Sequence, residues 1–135
     1  MSPTSATSLL AEPSTDNLLG ITHLLLSRCG TELVQILPSL LAVLAPTLVV
    51  LDISHNAFTV LPDELRQCLS LEELNVSFNP LRSIPPFIGG LFSLRQLQLD
   101  HCTLQALPVE MQNLASLHTL CGESHPRYES TDPLY

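Results

Sequence analysis

LVVLDISHNAFTVLPDELRQCLS (48–70), LEELNVSFNPLRSIPPFIGGLFS (71–93) and LRQLQLDHCTLQALPVEMQNLAS (94–116) follow one another without a gap. Their first residues, Leu48, Leu71 and Leu94, with Leu117 after them, recur at one constant interval. Positions 1, 4, 6, 11, 14, 18 and 21 are apolar in all three stretches. In a chain that is 45% apolar, so many coincidences would arise by chance less than about once in a million. The period is therefore structural.

Within each period the apolar residues first alternate, so Leu51 and Ile53 point to one side of a strand while Asp52 and Ser54 point to the other. Asn56 and Asn79 follow where the chain must turn, and their amides suit backbone groups that no strand can reach. Cys102 takes the same position with a weaker hydrogen-bonding group. Pro62, Pro85 and Pro108 hold the returning limb extended and discourage a long helix. A single period cannot bury its own leucines, so the periods are expected to stack as coils around one interior. These residues resemble the leucine-rich repeat, LxxLxLxxN/CxL, in its 23-residue form with an LP step, here Leu61-Pro62, Ile84-Pro85 and Leu107-Pro108. The resemblance covers about half the chain. In repeat length and LP step it points to intracellular Ras-group and adenylate-cyclase-type repeat proteins, which act in signalling and scaffolding. It implies an α/β solenoid, a short right-handed coil with a parallel sheet on its concave side.

Outward from the repeats, residues 17–47 are apolar-rich without the repeat consensus. They read as a helical N-terminal cap or as a degenerate repeat. The cap would comprise helices over 17–28 and 31–44, with Asp16 and Thr31 at their N-termini and Gly30 between them. The degenerate repeat would set Leu24, Leu37 and Pro38 against Leu48, Leu61 and Pro62. We expect the cap, because in that register Arg28 and Gly30 occupy positions where aliphatic residues belong. Leu117 and Leu120 begin a further, partial repeat ending at 122, and residues 1–16 and 123–135 read as disordered tails. The repeat pattern thus stops in mid-repeat, which reads as a truncated fragment, as an uncapped C-terminal end that stacks on a partner or on a second copy, or as a short native array with a frayed last strand.

Composition narrows the function. Thirty leucines and no Trp make the core aliphatic. The net charge is −8, with five arginines and no lysine, which opposes binding to nucleic acid or anionic lipid. Residues 1–16 lack the basic start and unbroken apolar run of a secretory signal, and Cys29, Cys68, Cys102 and Cys121 form no CxxC pair. Four reduced thiols in a cytoplasmic protein are expected. The uncharged run 33–51 is nearly long enough to span a bilayer, so a membrane-attached protein anchored there is the alternative. Pro38, Pro46 and Gln35 oppose it.

The outward strand positions form the expected binding face. Its rows are Val50, Glu73 and Gln96; Asp52, Asn75 and Gln98; Ser54, Ser77 and Asp100; and His55, Phe78 and His101. This acidic, amide-rich surface suits a basic or polar protein or peptide. Strand spacing puts the two histidines about 10 Å apart. Phe78 lies between them. The pair is too far apart to share a metal, and the row is well placed for a binding hot spot. The sequence holds no GxSxG elbow, phosphate loop or HExxH, and alternation separates Cys102 from His101. The expectation is a non-catalytic interaction module with no cofactor and no metal.

Overall fold

The computed structural model of the chain describes residues 4–5 and 20–121. Each alternating LxL step becomes a three-residue strand: β3 (Val50–Asp52), β4 (Glu73–Asn75) and β5 (Gln96–Gln98). β1 (Thr4–Ser5) and β2 (His23–Leu25) precede them and β6 (Thr119–Cys121) follows. All pair in parallel in the order β1 to β6, with Leu24, Leu51, Leu74, Leu97 and Leu120 in register. Every residue at the seven apolar repeat positions is buried except Leu104, which is half-buried against the same core. One interior runs through all the coils.

The convex side is set by the prolines. Pro62, Pro85 and Pro108 have φ/ψ of −67/143°, −64/148° and −69/144°, extended backbone that five-residue 3-10 turns continue. These turns are Asp63–Gln67, Pro86–Gly90 and Val109–Asn113, and they drop Leu65, Ile88 and Met111 into the core. At the far end of each strand the asparagines hold the turn. Asn79 donates from Nδ2 to the carbonyls of Ile53, Val76 and Ser77, and its Oδ1 accepts the Phe58 N–H. Asn56 donates likewise to Leu26, Ile53 and Ser54 and accepts from the Cys29 N–H. Cys102 offers only longer thiol contacts, 3.4 Å to the Val76 carbonyl and 3.9 Å to that of Asp100.

The segment 17–47 departs from the all-helical cap. Its second half is helical, α1 (Glu32–Leu44), continuous through Pro38. Thr31 precedes α1 in right-handed conformation, and its side chain makes no capping bond. Its first half carries the strand β2 instead of a helix, with Leu24 opposite Leu51. Ile21, Leu24, Leu26 and Cys29 thus stand where Leu48, Leu51, Ile53 and Asn56 stand one coil later. The geometry is that of a coil four residues longer than its successors, a 13-residue helix replacing the extended limb and 3-10 turn. The alignment of Leu24 with Leu48 failed because it missed those residues, and Arg28 does not displace an aliphatic. It is exposed.

The membrane-anchor reading of 33–51 is corrected by the same packing. Leu33, Leu37, Leu40, Leu41 and Leu44 of α1 are buried in the common core, and the run then turns into β3. Among the described residues no helix is long and apolar enough to cross a membrane. The N-terminal tail expected over 1–16 lies outside the described residues apart from Thr4–Ser5, which pair with β2. The tail at 123–135 lies outside them entirely.

Candidate functional site

The outward side chains of β2–β5 line the concave sheet. Glu73 is exposed, while Val50, Asp52, Asn75, Gln96, Gln98 and Asp100 are half-buried along the face. Ser54 and Ser77 are not available there: they are 5% and 4% exposed. Their expected place on the face is corrected by the hydrogen bonds they make. Asp52 Oδ1 accepts from both the Ser54 N–H (2.9 Å) and its hydroxyl (2.6 Å), and Asn75 Oδ1 accepts from the Ser77 N–H (3.1 Å). The Asp100 N–H then donates to Ser77 Oγ (3.0 Å). Those serines join the strands to the turn.

The fourth row reaches the face by a backbone conformation that alternation does not give. Strict alternation would send position 8 of each repeat inward with positions 4 and 6. The backbone there is left-handed instead, with φ of 59° at Arg28, 56° at His55, 59° at Phe78 and 54° at His101, and the side chains turn outward. The His55 and Phe78 rings stack at 4.2 Å between centroids, and Phe78 and His101 at 4.4 Å. Both faces of Phe78 are therefore covered, yet the residue remains 42% exposed. The result is a ridge of ring edges along the rim of the sheet. Left-handed non-glycine residues cost of order 1 kcal/mol each, and ring stacks return a comparable amount.

The first coil adds residues that reading from position 48 missed. His23 and Leu25 extend the face by one strand, and Arg28 extends the ridge row. Their signal was present in Ile21-x-x-Leu24-x-Leu26-x-x-Cys29, hidden by the longer period. Between β2 and β5 the face encloses a hollow of about 200 Å³. Leu25 and Val50 form its apolar wall, and Asp52, Glu73, Asn75 and Gln98 its polar side.

Cysteine chemistry is disfavoured by environment. Cys29, Cys68 and Cys102 are unbridged. Burial pushes all three thiols above their ordinary value, Cys68 to about 11. At Cys102 the Asp100 charge adds to the burial effect, against opposing backbone hydrogen bonds at Asn79 and Phe78. Protonated thiols are poor nucleophiles. No cluster of metal-ligating side chains occurs among the described residues.

Comparison with known proteins agrees with the fold. Residues 46–104 match the family model described as leucine rich repeat. A solved leucine-rich-repeat protein of Leptospira interrogans is similar to this chain at 27% identity, with a TM-score of 0.68. The similarity covers 94% of this chain and 36% of that one, so the chain spans about a third of that protein's length. No curated protein matches. The parallel coil is an α/β leucine-rich-repeat solenoid, and its strands extend on both sides of the matched segment, from β2 to β6.

Proposed function

We propose that this leucine-rich-repeat solenoid is a non-catalytic module that binds a basic or polar polypeptide on its concave face, in cytoplasmic signalling or scaffolding assemblies. The Ras-group and adenylate-cyclase-type repeats, which its 23-residue period and LP step resemble, serve assemblies of that kind. The observation that carries the reading is the ring ridge of His55, Phe78 and His101 beside a sheet face with carboxylates at Asp52, Glu73 and Asp100. The outward positions of β2–β5 hold no Lys or Arg, and in the ridge row Arg28 stands against the three carboxylates. Exposed aromatic groups beside uncompensated charge favour a partner of opposite charge and give it a firm anchor.

The test is parallel affinity capture with the parent chain, Phe78→Ala and the exposed convex-side control Val60→Ser. A partner kept by the parent and the control but lost by Phe78→Ala, with circular dichroism unchanged, supports the ridge. A partner held equally by all three defeats it. End-on self-association is a second mode we propose. β6 is the last strand described, and Leu117 and Leu120 there are only half-buried. Native mass that stays monomeric as concentration rises would remove this mode.

A further inference from the structure

The hollow between β2 and β5 has a two-part lining. Leu25, 41% exposed, stands directly across from Asp52, and Val50 across from Glu73. Asp52 and Glu73 are therefore diagonal neighbours, about 8 Å apart by strand spacing and rise. Asp52 spends only Oδ1 on Ser54, and its Oδ2 meets no donor among the described residues. The Glu73 carboxylate, the Gln98 amide and the Asn75 Nδ2 likewise make no hydrogen bond or ion pair there. A pocket of about 200 Å³ thus combines an apolar wall with the Glu73 carboxylate and the second oxygen of Asp52, and its lining carries no cation.

We infer that this hollow seats one arginine side chain of the partner polypeptide, its stem against Leu25 and Val50 and its guanidinium bridging Asp52 and Glu73. The inference rests on the concave face being the contact surface and names what that face recognises. An arginine fits where a lysine does not, for a geometric reason. A planar fork with five donors engages two separated carboxylates at once, with donors left for the Gln98 oxygen, whereas an ammonium is a point charge that approaches one of them. A neutral side chain would leave both carboxylates unpaired.

The probes are three blocked heptapeptides, identical but for a central arginine, lysine or citrulline, titrated into the isotope-labelled full chain and followed by amide chemical shifts. The arginine peptide should shift Leu25, Val50, Asp52 and Glu73 saturably and bind several-fold tighter than the lysine peptide. Citrulline should give no saturable shift. Asp52→Asn and Glu73→Gln should each weaken arginine binding about tenfold. Asp52→Asn keeps the bond from the Ser54 N–H, as Asn75 does for the Ser77 N–H one coil later. Leu25→Lys, an exposed substitution that sets a cation over Asp52, should abolish binding. Equal affinity for the three peptides, or arginine binding indifferent to both carboxamide variants, overturns the inference. If a Phe78-dependent partner binds those variants as tightly as the parent, the arginine seat is wrong and the concave-face reading stands. If capture is also indifferent to Phe78, the face itself is wrong.

Discussion

The Asn79 carboxamide satisfies three carbonyls and the N–H of Phe58 from a position only 2% exposed, so one side chain ties two coils together. Asn79→Ala strands those groups away from water and should cost about 3 kcal/mol, read as a lower urea midpoint at unchanged slope. At the equivalent Cys102 the thiol contacts are long, so Cys102→Asn should stabilise by about 1 kcal/mol. Loss of stability there would mean the site has no room for the amide. Cys68 makes a different statement. Burial raises its thiol from 9.0 to about 11, so between those values the unfolded chain gives up a proton that the folded chain keeps. Its contribution is whole below about pH 9 and is lost as pH rises through about 11. The melting temperature of the parent should therefore fall more steeply over that interval than that of Cys68→Val. Parallel curves would show that the thiol does not ionise on unfolding.

At the scale of the element, the 3-10 turns pack directly on one another across the convex side, and Gly89 shows how closely. A Cβ there would lie 2.5 Å from the Glu110 carbonyl oxygen, whereas one on Gly90 would meet nothing within 4 Å. Gly89→Ala should cost more than about 2 kcal/mol, because backbone of the next coil must move, while Gly90→Ala should be neutral or slightly stabilising. Thermal unfolding of the two single variants separates them; equal melting temperatures would mean the coils are less tightly apposed. The short turns were legible in the sequence because proline fixes φ and recurs at the same place in Pro62, Pro85 and Pro108. The first coil was not, because α1 lengthens it by four residues and moves β2 out of the repeat frame. Proline in a helix interior removes a backbone bond, yet α1 runs through Pro38, its five buried leucines outweighing that loss.

For the whole molecule, apolar spacing revealed the shared core because burial imposes the same demand on every coil. The face was only partly readable, since outward position does not ensure exposure. Ser54 and Ser77 point outward in sequence but are consumed by local hydrogen bonds, whereas the ring ridge depends on left-handed backbone that no residue of Phe type announces. A solenoid also has no contacts between distant coils, so its stability is a sum of each coil and its two neighbours. β3 and β4 each have a paired strand on both sides, and Leu51 and Leu74 are almost fully buried. β6 pairs only with β5 among the described residues, and Leu117 and Leu120 beside it are half-buried. Opening should therefore begin at β6 and reach β3 and β4 last. Native-state amide exchange should show protection rising from Leu120 through Leu97 to Leu74 and Leu51, by about tenfold for each 1.4 kcal/mol of added opening energy. Uniform protection along that row would mean that the coils open together, and that coupling between neighbours is far stronger than the energy of any one coil.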